Sequence, residues 1–325
     1  MSRHSIPGYT YIMLLCTMIL STCGDGPDDI VFDNPLDSDN SEQIPEVLDV
    51  RQLTTSSSSD STPSWSPDGS RIAYSSSPPG GIPQIWSIAV TGGTPTQLTN
   101  YEYGASDPEY SPDGRRILLR TRENMDSSLV GLWSIPASGG PRTKVFKGAW
   151  GNDYSGSWSP DGSEIVFISE RGASGPGGQN IWIVSSDGSG NGLRQLTSGN
   201  PGDCEPDWSP DGTTIIFYSS IRSGNHDLWT IPATGGTPTN FTNTPDWQEA
   251  HPAYSTDGKW VAFTSDRSGM PGTWVMPATG GEQTLIVDYT ETVSSPTWNP
   301  DDTMIAFEIG TSDDRDIWIV SMGTQ

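Results

Sequence analysis

Positive charge is what this sequence has least of. Across 325 residues, 16 Lys and Arg face 40 Asp and Glu, and the formal charge is -24. A surface this acidic repels phosphate backbones over about 8–10 Å at physiological salt, which excludes nucleic acid as a partner. Histidine is scarce as well. His4 falls in a leader-like segment, and His226 and His251 lack H-E-x-x-H spacing and are too few for a His-rich metal site. Three cysteines, Cys16, Cys23 and Cys204, leave only Cys204 in the body of the chain, so packing rather than a disulfide framework must hold the fold. No apolar run reaches the roughly 20 residues of a spanning helix. No G-x-S-x-G elbow is present, and Gly188-Ser189-Gly190-Asn191-Gly192 lacks the Lys-Ser/Thr of a phosphate loop and reads as a turn. Neither a catalytic residue nor a cofactor nor a metal ligand is expected.

The first 50 residues stand apart from the rest. Arg3 precedes an apolar stretch from Tyr9 to Leu20, too short to span a bilayer, which makes residues 1–22 a signal peptide. The segment Leu20-Ser21-Thr22-Cys23-Gly24 resembles a bacterial lipobox, with Thr22 where Gly, Ala or Ser is usual. That resemblance implies acyl chains on Cys23 and a membrane anchor. Residues 23–50 then carry nine acids, no Lys or Arg, and Pro27, Pro35 and Pro45, the composition of a solvated tether. Asp37-Ser38-Asp39-Asn40 lacks the Gly and distal Glu of a calcium loop.

Glycine, proline and tryptophan are the residues in excess: 37, 27 and 13. Their placement is periodic. Ser-Pro-Asp-Gly occurs at Ser66–Gly69, Ser111–Gly114, Ser159–Gly162 and Ser209–Gly212, then in altered form at Ser255–Gly258 and Asn299–Asp302. The six turns recur every 44–50 residues, the length of one four-stranded propeller blade. Trp65, Trp158, Trp208 and Trp298, with Tyr110 and Tyr254, precede the turns. A β-branched run follows each, as in Thr214–Ser219, and then an apolar-Trp pair at Trp86, Trp133, Trp182, Trp229 and Trp318, with Thr273-Trp274 as a weaker copy. After a Gly-Gly turn, a fourth short strand is expected around Leu-Thr or Phe-Thr, as at Phe241-Thr242. Ten of the thirteen Trp are thereby assigned to blade packing. The expected fold is all-β: a six-bladed propeller of four antiparallel strands per blade over residues 51–325. Arg51–Thr55 matches Gln97–Thr99 and is expected to pair with the strand of Trp318, closing the ring.

This W-S-P-D-G, I-W, G-G, L-T succession resembles the TolB-type, WD-repeat-like propeller repeat. The resemblance implies a cell-envelope, periplasmic setting and a protein partner, although related propellers also stand beside catalytic domains of prolyl-oligopeptidase-like enzymes. Of the additional α/β domain of TolB nothing is recognisable, since only the acidic tether stands ahead of the repeats.

Two further patterns bear on function. Arg122, Arg171, Arg222, Arg267 and Arg315 recur between second and third strands, which predicts a structural ion pair with a hairpin acid such as Asp227 or Asp316. The connections into each first strand do not repeat, and they should meet at one mouth of the channel. They hold Tyr103, Asp107, Trp150, Asp153, Tyr154, Asp203, Glu205, Asp246, Trp247, Glu249, His251 and Glu291. Aromatic rings set among carboxylates suit a basic or amphipathic peptide of an envelope protein, with rings as anchors and acids steering the encounter. The reading is a monomeric, non-catalytic binding lipoprotein; a glycan- or peptide-active hydrolase or lyase with an acidic site at the mouth is the alternative.

Overall fold

The computed structural model describes residues 46–123, 130–145, 152–171, 178–199, 202–311 and 313–323. The expected signal peptide, Cys23, most of the expected tether and Trp150 lie outside them. Strand β1 (Val47–Gln52) precedes blade one, which comprises β2 (Ser59–Trp65), β3 (Arg71–Ser77), β4 (Gln84–Ala89) and β5 (Thr96–Gln97). Blade two is β6 (Ser106–Tyr110), β7 (Arg116–Arg122), β8 (Val130–Pro136) and β9 (Thr143–Lys144). Blade three is β10 (Asp153–Trp158), β11 (Glu164–Ser169), β12 (Asn180–Ser185) and β13 (Arg194–Gln195). Blade four is β14 (Asp203–Trp208), β15 (Thr214–Ser219), β16 (Asp227–Pro232) and β17 (Thr239–Asn240). Blade five is β18 (Glu249–Tyr254), β19 (Trp260–Ser265), β20 (Gly272–Pro277) and β21 (Thr284–Val287), and blade six is β22 (Val293–Trp298), β23 (Met304–Thr311) and β24 (Asp314–Met322). Each blade is an antiparallel sheet in chain order; the sixth takes β1 as its outer strand, with Gln52 opposite Trp318 and Arg51 opposite Ile319.

Second strands carry the core because both of their faces are covered by neighbouring blades. Tyr74, Phe167, Phe217, Phe263 and Phe307 are fully buried, and each lies opposite the Trp of its third strand: Trp86, Trp182, Trp229, Trp274 and Trp318. Such aromatic cross-strand pairs hold the register as well as filling the interblade space.

The Ser-Pro-Asp-Gly turns are closed by their own side chains. Ser66 Oγ donates to Asp68 Oδ1 at 2.6 Å, and the backbone N–H of Ser70 donates to the same oxygen at 3.0 Å. These donors, the Ser66 hydroxyl first, pull Asp68 down to about 2, and the same arrangement pulls Asp161 to about 2. The fourth strand differs from expectation. Where Phe241-Thr242 was expected, the paired residues are Thr239–Asn240. The Leu or Phe N–H still donates to the third strand, as Phe241 does to the Leu228 carbonyl at 2.8 Å, but from there the Thr hydroxyl replaces a backbone carbonyl as acceptor: the N–H of Ile85 donates to Thr99 at 2.9 Å, that of Ile181 to Thr197 at 3.0 Å and that of Leu228 to Thr242 at 3.0 Å.

Candidate functional site

The innermost strands share a motif that turn spacing does not bring out. Five of them read x-Pro-x-Trp/Tyr, and blade three has Ser155-Gly156-Ser157-Trp158 in its place. The first residue of each is in the left-handed region: Thr62, Asp107, Ser155, Glu205, His251 and Ser295, with φ between 43° and 55°. Each sits at a register shift in the pairing with its second strand. For non-glycine residues this conformation costs roughly 1–2 kcal/mol apiece, and six such positions at one level of a channel are the kind of strain held by surrounding structure at a working site. The bulge re-aims these side chains into the channel.

They line a central cavity of about 950 Å³. Further along it come Glu109, Ser157 and Asp207, then Trp65, Tyr110, Trp208, Tyr254 and Trp298, and finally the turn prolines Pro67, Pro112, Pro160, Pro210 and Pro300. Polar groups in this wall stitch one blade to the next. The backbone N–H of Trp158 donates to Glu109 Oε1 at 2.9 Å, that of Tyr254 donates to Asp207 Oδ2 at 2.8 Å, and that of Tyr110 donates to Ser64 Oγ at 3.0 Å.

The cavity is electrostatically lopsided. Asp107, Glu109, Glu205 and Asp207 face Arg120 and His251, with Asp107 to Arg120 at 2.9 Å and Glu205 to His251 at 3.3 Å. Burial pushes Glu109 up to about 8, and the nearby Asp207 adds to the shift. Burial likewise takes Asp207 to about 6. Asp107 and Glu205 are also raised, chiefly by burial, with Arg120 and His251 opposing the rise. Ser157 Oγ lies 3.2 Å from Glu109 and 3.3 Å from Asp207. Behind this wall Glu308 accepts from Ser294 Oγ at 2.6 Å and from the Thr62 N–H at 3.2 Å. Among the described residues no group of three or more His, Cys, Asp or Glu could hold a metal ion.

Of the residues expected at the mouth, the cavity gathers Asp107, Glu205 and His251. Asp153, Asp203 and Glu249 are buried one step outward. They correct the expected Arg pairs: Arg222 binds Asp203 at 2.6 Å rather than Asp227, and Arg315 reaches Glu308 at 3.2 Å rather than Asp316. Arg171 holds Asp153 and Arg267 holds Glu249, both at 2.7 Å. The cause is geometric, since the loop after the second strand folds back over the start of the first. Asp227 is satisfied by neutral donors instead, Asn240 Nδ2 at 2.8 Å and the Thr244 N–H at 3.1 Å. Tyr154 donates to Glu170 at 3.3 Å beneath the Arg120 guanidinium. Asp246, Trp247 and Glu291 are exposed and Tyr103 is half-buried. Glu109, Asp207 and Glu308 were missed. The carboxylates directly before Tyr110 and Trp208, and the acid directly after Phe307 in an apolar run, were the available signals.

Such a ring of six four-stranded blades around a polar channel defines a β-propeller of the TolB type. Residues 46–133 and 173–325 match the TolB beta propeller domain, and the chain belongs to that family. No curated protein matches it. Among solved structures it is similar to a TolB-type protein of Agrobacterium tumefaciens, at 20% identity over 85% of this chain and 97% of that one, with a TM-score of 0.66. A gluconolactonase of Xanthomonas campestris shows 15% identity over 84% and 89%, with a TM-score of 0.63. The oligogalacturonate lyase of Vibrio parahaemolyticus shows 12% identity over 84% and 93%, with a TM-score of 0.59. At these identities the likeness concerns the fold, and the fold serves enzymes and non-enzymes alike.

Proposed function

We propose that this protein is a non-catalytic, monomeric propeller lipoprotein of the bacterial cell envelope, anchored through Cys23, whose channel captures a basic or amphipathic segment of an envelope protein. The observation that carries this reading is the wall of the 950 Å³ cavity, where prolines and aromatic rings surround four acidic side chains, Arg120 and His251. Apolar walls supply desolvated contact for a peptide, and the acid excess selects its charge. The exposed Trp247 on the rim is a further candidate contact. The test is a pull-down from envelope extract with the chain from Gly24 onward. Asp207→Asn combined with Glu205→Gln should reduce recovery of the partner at least tenfold while the protein stays folded. Undiminished recovery refutes the channel, and loss in Trp247→Ala alone moves the site to the rim.

One observation favours a second reading, a glycan- or peptide-active enzyme. Glu109 and Asp207 share the Ser157 hydroxyl, and burial holds one at about 8 and the other at about 6, so an acid and a carboxylate stand side by side at neutral pH. Turnover of oligosaccharides or peptides that vanishes in both Glu109→Gln and Asp207→Asn would establish it.

A further inference from the structure

Four blades open their inner strand with a buried carboxylate two residues ahead of the left-handed position: Asp60, Asp153, Asp203 and Glu249. Blades two and six have Ala105 and Val293 there. In every one of the four, the acid lies opposite a serine of the second strand: Ser76, Ser169, Ser219 and Ser265. Three of the four are completed by an arginine from the following loop. Arg222 grips Asp203 through Nε at 2.8 Å and a terminal nitrogen at 2.6 Å, and its guanidinium lies 5.9 and 5.8 Å from the Phe217 and Trp229 rings. Arg171 and Arg267 repeat the grip over Phe167/Trp182 and Phe263/Trp274.

Blade one retains every part of this pocket except the arginine. Asp60 is 1% exposed, Ser76 faces it, and Tyr74 lies opposite Trp86 at the ring positions. The loop that follows reads Ser77-Pro78-Pro79-Gly80-Gly81-Ile82, without a cation. The hydroxyls of Ser76, Thr54 and Ser56 hydrogen-bond to the Asp60 carboxyl, but one of its oxygens, Oδ1, has no hydrogen-bond partner. The charge acting on Asp60 is a second carboxylate, Asp316, which Gln52 and Thr54 hold at 2.7 and 3.0 Å.

We propose that blade one is a docking point for an arginine side chain of a partner protein, whose guanidinium completes the pair that blades three to five complete internally. Arginine rather than lysine is the match, because the sister sites use its planar fork against a carboxylate and lay it beside aromatic rings. Asp60 is 1% exposed, so the side chains around it must part as the guanidinium enters, and the loop of residues 77–82 brings no competing cation. The site is separate from the channel cavity, so it stands or falls independently of channel capture.

The probe is N-acetyl-arginine amide, with the lysine analogue as control, titrated against the full mature chain while the thermal midpoint is followed. At about ten times its Kd the arginine compound should raise the midpoint by about 2–4 °C. Asp60→Asn should abolish that rise. Pro78→Arg, which restores the arginine two residues after the serine, should raise the midpoint unaided and remove the response to the probe. No rise in the wild type overturns the proposal even if Pro78→Arg stabilises, since the pocket then accepts a guanidinium only from its own loop. An equal rise in Asp60→Asn, or with the lysine analogue, also overturns it.

Discussion

At the scale of single residues, the two altered turns explain each other. In five turns the glycine lies beside the position-two proline of the turn before it, so that a Cβ built at Gly258 would lie 3.7 Å from the Pro210 ring. Blade five has Thr256 in place of that proline and so regains an N–H, and blade six has Asp302 in place of the glycine. Asp302 accepts the Thr256 N–H at 2.7 Å and the Asp257 N–H at 2.8 Å, at a φ of 58° that aspartate tolerates better than most residues. Asp302→Gly should therefore cost about 0.5–1.5 kcal/mol. Adding Thr256→Pro should recover part of that loss, and a double-mutant cycle in urea measures the coupling. Strict additivity would mean that the two substitutions are unrelated.

At the scale of the blade, the recurring arginines are unequal in spite of equivalent sequence positions. Arg222 is clamped between the fully buried Asp203 and two rings, whereas Arg122 is exposed on blade two, whose inner strand has Ala105 where the acid would be. Arg222→Ala leaves a buried carboxylate without its partner and should cost about 3–5 kcal/mol. Arg122→Ala should stay within about 0.5 kcal/mol. Phe217→Ala should cost about 3–5 kcal/mol through lost burial and a cavity. Urea midpoints at constant slope would check all three. Similar losses for Arg122→Ala and Arg222→Ala would contradict the pairing.

At the scale of the molecule, the buried acids and the turn acids pull stability in opposite directions with pH. Glu109 at about 8, Glu249 at about 7, and Asp60 and Asp207 at about 6 are all raised in the fold, mainly by burial. The folded state holds their protons more tightly than the unfolded chain, so this contribution is full at low pH and is lost as pH rises through about 6 to 8. The turn aspartates, led by Asp68 and Asp161 at about 2, are lowered, so theirs is present above the ordinary carboxylate range and is lost as pH falls toward 2. The thermal midpoint should peak in mildly acidic solution and decline from pH 6 to 8.5. Glu109→Gln should flatten the most alkaline part of that decline. A midpoint that rises steadily to pH 8.5 would show that burial does not govern these groups.

The propeller was legible in the sequence because its signals are local and repeated. A Ser-Pro-Asp-Gly turn closes through its own hydroxyl and carboxylate, and an aromatic pair across two strands of one hairpin needs nothing from beyond the blade. The site was legible only in part. Asp107, Glu205 and His251 were singled out as charged or titratable residues in unlike connections, but whether such a residue enters the channel depends on the left-handed bulge of its own strand. Asp153, Asp203 and Glu249 read identically in sequence and were instead taken up by arginines folding back over them. Glu109 and Asp207 face one another across blade three, about a hundred residues apart in the chain. Sequence alone determined the turn, the blade and their number, because each is set by contacts within some fifty residues. Which carboxylates are neutralised, which face the cavity and which is left without an arginine was decided by the tertiary structure, because those outcomes depend on side chains that meet only when the blades pack in a ring.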